Sequence, residues 1–260
     1  MTTSINTLSS QAASSVGSAA STLISSVKNL ASGSRINSAS DDAAGLAVRQ
    51  MLRGDVATAN QAFRNINDGV SMLQTADGAA ATINDNLVRM KALATQASGG
   101  IYSADQKAIM QHEFDQLAAE NTRIVSDTKF NGVSLFQTGQ TIDIATGDGG
   151  TISVDTQSLS IASADLVSNP VAAQTSVSDA IVSTTTYRAN LGSSVNRLEA
   201  AADVISVRAE NTLAAESRIS DADIAHEVAT MTSNRVQTQA AIAAQAHANT
   251  VSSVVALFFG

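Results

Sequence analysis

The chain is 260 residues long and sets 15 Lys and Arg against 23 Asp and Glu, a formal net charge of −8. It has no Cys, no Trp, one Pro and 3% aromatic residues, yet 44% of it is hydrophobic. The acidity argues against nucleic acid as a partner, because neutralising phosphates takes clustered Lys and Arg. The missing cysteine excludes a disulfide scaffold, a thiolate nucleophile and Cys-ligated metal.

Much of the apolar fraction is methyl groups, for 46 residues are alanine. Alanine loses no side-chain entropy and is the best helix former, so the composition predicts long helices. Burial stabilises by roughly 25 cal/mol per Å², and helices with such small side chains need many neighbours.

At the N-terminal end, apolar or small residues fall at Ile5, Leu8, Ala12, Val16, Ala19, Leu23, Val27 and Leu30. The steps of 3, 4, 4, 3, 4, 4, 3 make an eleven-residue repeat, a nearly straight stripe rather than a heptad seam. The C-terminal end repeats the theme more weakly, at Val236, Ala240, Ala243, His247, Val251, Val254 and Phe258. Ile242 and Leu257 add aliphatic bulk there. Lys28 is the only charged side chain between Met1 and Ser34, and none lies between Val236 and Gly260 with His247 neutral. A solvated helix carries charge on its outer face. These segments carry Ser, Thr, Asn, Gln and Ala instead, and so predict helices packed on several sides, by more neighbours than one chain supplies. No secretory signal and no run of about 20 apolar residues is legible. The expectation is a chain that is cytosolic or leaves by a route reading no cleavable signal, with no membrane insertion.

Between the ends, Gly33 to Asp42 breaks the first helix, and Ser40 or Asp41 is the expected N-cap of the second. That helix runs to about Ser98, with Leu46, Met51, Phe63, Ile66, Val70, Leu73, Ile83, Leu87, Met90 and Leu93 as its stripe. Gly54, Gly69 and Gly78 weaken it by about 1 kcal/mol each. Ser103 with Gln106 reads as a capping box for a third helix to about Ser126. From Phe130 to Tyr187 there is no Lys, Arg or Glu. Residues 141–145 and 151–155 alternate at period two around Gly147-Asp148-Gly149-Gly150, which predicts an exposed, solvating hairpin module. Helical periodicity returns near Ala172. The predicted class is mainly α: a long antiparallel helical rod or coiled-coil bundle with a small β-hairpin in mid-sequence.

Catalytic chemistry is not legible. His112-Glu113 and His226-Glu227 could open a zinc motif, but Gln116 and Thr230 stand where its second His belongs. The Asp residues from 143 to 148 lack calcium-loop spacing, and Asp41-Asp42 fits capping better than acid–base work. No enzyme, cofactor or metal is expected.

Two long blocks carry a family resemblance. Residues 30–47, Leu-Ala-Ser-Gly-Ser-Arg-Ile-Asn-Ser-Ala-Ser-Asp-Asp-Ala-Ala-Gly-Leu-Ala, resemble the N-terminal hallmark of bacterial flagellins. Phe130-Asn131-Gly132, Asn196-Arg197-Leu198-Glu199 and residues 217–229 resemble later parts of the family pattern in the right order. The resemblance implies a self-polymerising filament subunit of the extracellular flagellum, exported by the flagellar type III route and used for swimming. It implies a division into residues 1–40 and 218–260 as inner tube, and 41–130, 131–171 and 172–217 as rod without large outer domains. Implied partners are further copies of the chain, an export chaperone, a filament cap protein and hook-associated junction proteins. Ile5, Leu8, Val16, Leu23, Val27, Leu30, Val236, Ile242, Val251, Val254, Leu257 and Phe258 are the expected assembly residues. Leu87, Arg89, Leu93 and Glu113 match a face the family shows to toll-like receptor five or uses for axial packing. Val88 stands where Gln is usual and Ala92 where Glu is usual, which implies weakened recognition. A hook–filament junction protein shares the terminal features, and the intact rod blocks on both sides speak against it.

Overall fold

The structure is a computed structural model. It describes residues 2–137, 139–147, 149–159 and 164–259, without the side chains of residues 2–6, 8, 9, 12, 252 and 255–259. In chain order the elements are α1 (Thr2–Ser32), α2 (Ala43–Ser98), α3 (Ala104–Asp127), β1 (Lys129–Phe130), β2 (Val133–Ser134), β3 (Thr141–Gly147), β4 (Gly150–Asp155), α4 (Pro170–Ser220) and α5 (Ile224–Phe259). The class is mainly α with two small antiparallel sheets. The chain divides into two compact units, Met1–Asp55 with Asn211–Gly260, and Val56–Glu210. Among the described residues no helix is long and apolar enough to cross a membrane.

The Val56–Glu210 unit is a three-helix core with heptad regularity. The buried positions of α2 include 59, 62, 66, 69, 73, 76, 80, 83, 87, 90, 94 and 97, alternating steps of 3 and 4, with Met72 and Leu93 buried beside that seam. On α3, Phe114 and Asn121 are buried, with Met110, Leu117 and Ile124 beside them. On α4 the buried series is Ala173, Val177, Ala180, Thr184, Tyr187, Leu191, Leu198 and Ile205. Such spacing keeps one seam facing its partners and implies a left-handed supercoil. Ala59, Ala62, Ala76 and Ala80 hold seam positions, whereas Met51 and Phe63 are exposed. The stripe expected from the larger apolar residues is corrected there, because the alanines are not filler but core.

Glycine does not interrupt α2, and Gly69 has a packing role. A Cβ built there would lie 2.5 Å from Ile144 Cδ1, so the hairpin seats on the helix only because the methyl group is missing. β3 and β4 pair from Thr141↔Asp155 to Ala145↔Thr151. Ile144 and Val154 are buried, while Asp143 and Asp155 face out and accept from Ser153 and Thr141 across the strands at 2.6 and 2.8 Å. The expected exposed module is thus half core. Leu135, Phe136, Leu159 and Leu166 from the same stretch are buried too. Tyr187 Oη donates to the Leu135 carbonyl at 3.0 Å, and its ring meets Phe136 with centroids 5.8 Å apart. Burial pushes the Tyr187 phenol up to about 12, so it stays a donor.

The helix ends follow capping chemistry. Ser103 and Gln106 form the expected capping box on α3. The cap of α2 is Asp42, whose Oδ1 accepts from Gly45 N at 2.9 Å, not Ser40 or Asp41. Asn169 Oδ1 caps α4 through Ala172 N, with Pro170 as its first residue. The Asn131-Gly132 turn joining β1 to β2 has φ of 49° and 82°, the left-handed pair a tight hairpin requires.

Candidate assembly interface

The terminal helices belong to the other unit and lie along each other antiparallel. Ser34 bridges Asp221 at the start of the pair, and Asn29 Nδ2 donates to Glu227 Oε1 at 3.0 Å one turn further in. On α1 the covered residues include Val16, Ala19, Leu23, Ser26 and Leu30, with Ala20 and Asn29 beside them. On α5 they include Glu227, Met231, Asn234, Thr238, Ala241, Gln245 and Ala248, with Thr230 beside them. The main series step by 3 and 4 alternately, a heptad seam. The eleven-residue stripe expected on α1 is therefore corrected near its end: Ser26 is 3% exposed, and Val27 is 48% exposed on the flank. Small residues let α1 and α5 approach until Cα atoms lie within 8 Å.

The two faces of α5 are inverted relative to an ordinary amphipathic helix. Its seam carries Glu227, Asn234, Thr238 and Gln245 beside Met231, Ala241 and Ala248. Val236, Ala243 and Val254 lie roughly 180° from that seam at 3.6 residues per turn, and Val236 is 59% and Val254 54% exposed. Ile242 and Val251 are exposed on the flanks, as is Ile24 on α1. Of the expected assembly residues, Val16, Leu23 and Leu30 thus pack within the hairpin. Val27, Val236, Ile242, Val251 and Val254 remain uncovered. The side chains of Ile5, Leu8, Leu257 and Phe258 lie outside the described residues.

A clamp fixes where the hairpin begins. Gly33 ends α1 with φ of 65°, the C-terminal conformation glycine permits. Arg35 N donates to Ser220 O at 2.7 Å and Ala222 N to Gly33 O at 3.0 Å. Arg49 Nη1 donates to Ser34 Oγ at 3.1 Å and to Ile36 O at 2.8 Å, while its Nε approaches Glu216 Oε1 at 3.4 Å. Arg35 reaches the Ile219 carbonyl at 2.8 Å. Ile36 is buried, and its Cδ1 with the Asp42 carboxylate fills the place a side chain on Gly45 would take. Asp41 accepts from the N–H groups of Asn37 and Ser38 at 3.0 and 2.8 Å, 3.6 Å from Lys28 Nζ. Hydrogen bonding from Ser38 first, then Asn37, holds its carboxyl below the usual range. Ser34, Arg49, Glu216 and Ser220 escaped the sequence reading as a group. None of the four belongs to an apolar period, and only the folded turn brings positions 34–49 to 216–220.

Of the residues expected on a receptor or axial packing face, Leu87 and Leu93 are 0% and 3% exposed, within the core of the Val56–Glu210 unit. Arg89 and Glu113 are brought together at 2.7 Å, beside exposed Val88.

These features define a class: a helical protein with an uncovered apolar face on a terminal helix. Residues 3–141 match the bacterial flagellin N-terminal helical region and residues 175–258 the bacterial flagellin C-terminal helical region. The chain is 36% identical over 252 residues to the flagellar filament 30.7 kDa core protein of Treponema maltophilum, covering 86% of this chain and 87% of that one. It is 35% identical over 235 residues to a flagellin of Halalkalibacterium halodurans, covering 86% of each. The crystal structure of Bacillus cereus flagellin superposes with a TM-score of 0.51 at 30% identity, over 59% of this chain and 94% of that chain. The chain belongs to the bacterial flagellin family, whose members are structural, non-enzymatic components of the flagellar filament.

Proposed function

We propose that the chain polymerises with copies of itself into the helical filament used for swimming, after export through the flagellar type III route. The observation that supports this is the inverted α5, which spends its polar face on α1 and leaves Val236 and Val254 to solvent. Contacts of one patch with a different patch on the next copy do not close, and give an open helical polymer. Residues 1–40 and 218–260 form the inner tube, and 41–130, 131–171 and 172–217 form the rod. The exposed terminal helices are also the surface an export chaperone, a cap protein and the hook-associated junction proteins engage. Recognition by toll-like receptor five is weak, because Arg89 and Glu113 already satisfy each other and both leucines are buried. Monomer as potent as a strong-agonist flagellin in receptor-reporter cells would contradict that weakness.

Electron microscopy of the purified chain seeded with filament fragments tests the main reading. Filaments are expected from the full chain, and only soluble monomer from a truncation lacking residues 1–33 and 236–260. A full chain that stays monomeric despite seeds sinks the reading and points to a junction protein, checked by binding to filament or hook ends.

A further inference from the structure

Asn131-Gly132 is the only Asn-Gly pair in the chain, and it forms the turn between Phe130 of β1 and Val133 of β2. Both residues sit in the left-handed region, which Asn tolerates and Gly adopts freely. Both are exposed, and a Cβ built on Gly132 would meet no heavy atom within 4 Å. Neither the Asn131 side chain nor the Gly132 N–H has a hydrogen-bond partner among the described residues. A carboxamide and the nitrogen of the next residue thus stand side by side, unshielded and unengaged.

No other asparagine of the chain combines these features. All but Asn37 and Asn169 lie inside helices, where the following N–H is held in the helical ladder. Asn37 Nδ2 donates to Asn29 Oδ1 at 3.0 Å and to the Ser34 carbonyl at 2.8 Å, and the Ser38 N–H beyond it donates to Asp41 at 2.8 Å. Asn169 is followed by Pro170, which has no N–H to offer.

We propose that Asn131 is a site of spontaneous covalent modification. The Gly132 nitrogen attacks the carbonyl carbon of the Asn131 side chain and a C–N bond closes a succinimide ring. The amide nitrogen leaves as ammonia, taking the proton that Gly132 gives up. Water then opens the ring at either carbonyl and leaves aspartate or isoaspartate. The ring-closing step is intramolecular, which removes most of the entropy cost of bringing the two groups together. Isoaspartate routes the main chain through its side chain and lengthens the loop by a methylene. Turn geometry sets the register of a hairpin this tight, so the longer loop cannot keep Phe130 opposite Val133. The disturbance reaches the core, because Leu135 N donates to the Thr128 carbonyl at 3.2 Å and the Leu135 carbonyl accepts from Tyr187. The chemistry needs only the folded turn and stands apart from the self-assembly reading.

The test is to age the folded full chain in mildly alkaline buffer, digest it and follow each asparagine by peptide mass spectrometry. A protein isoaspartyl methyltransferase reports the isoaspartate. The amide of Asn131 is expected to disappear at least about tenfold faster than that of any other asparagine, a barrier lower by about 1.4 kcal/mol. The same peptide should accept methyl groups. A parallel sample in urea shows the rate without the turn. An Asn131 amide that persists in the folded chain overturns the proposal, whether or not the unfolded chain loses it. Aspartate without any isoaspartate also overturns it, because water would then have attacked the amide directly.

Discussion

Val236→Lys combined with Val254→Lys abolishes seeded filament growth and leaves the single chain folded. Both valines are more than half exposed and face away from α1, so the substitutions remove no intramolecular packing. Lys is a better helix former than Val, and near the C-terminal end of α5 its charge suits the macrodipole. Helix content by circular dichroism should therefore hold or rise. The proposed assembly covers the same positions, where an unpaired buried ammonium would cost several kcal/mol. Every 1.4 kcal/mol is tenfold in an equilibrium constant, so the critical concentration rises by at least about 100-fold. Growth within about threefold of the unsubstituted chain shows that this face is not buried on assembly.

Arg49→Met loosens the clamp at the base of the terminal hairpin by about 1.5–3 kcal/mol, the range for hydrogen bonds made by a charged donor. The guanidinium serves Ser34 Oγ, the Ile36 carbonyl and Glu216 together, and Glu216 is only 15% exposed. Methionine preserves the stem's packing but takes this donor from all three, leaving Ile36 O with Ser34 Oγ at 3.1 Å and Glu216 with Arg53 Nε at 3.7 Å. Adding Glu216→Gln removes the weakened charge and should recover part of the loss, a coupling of about 1 kcal/mol in a double-mutant cycle. Urea unfolding measures the size of the effect, and amide hydrogen exchange its place. Faster exchange belongs at the N–H groups of Arg35 and Ala222, whose bonds cross the clamp. A loss under about 0.5 kcal/mol, the scale of an ordinary surface change, contradicts the role assigned to Arg49.

The helices were legible because nothing in the composition opposes them and because Gly33 and Ser103 punctuate their ends with local chemistry. What each helix face does was harder to read. On α1 an eleven-residue repeat and a heptad share every position from Val16 to Leu23, and part only at Ser26 and Val27. The structure chooses the serine, since close approach of two helices favours a small side chain over a branched one. On α5 the period gathers Val236, Ala243, Val251 and Val254 into one stripe, yet period cannot say which side the chain itself covers. The cap of α2 moved from Ser40 or Asp41 to Asp42 because Asp41 is engaged inside the preceding loop. Leu87 and Leu93 matched a family face by identity, while Leu87 stands on the heptad seam and Leu93 is buried beside it. The clamp was invisible to period altogether, for it joins residues more than 160 positions apart through carbonyls and hydroxyls.

The most direct test of the inverted helix is thiol labelling of a Val236→Cys chain, in which that cysteine is the sole thiol. In the monomer it should react as an exposed thiol. In seeded filaments the account predicts labelling at least about tenfold slower, as expected where interface packing excludes water. Equal rates in monomer and filament would contradict the claim that assembly buries the face of α5 turned away from α1.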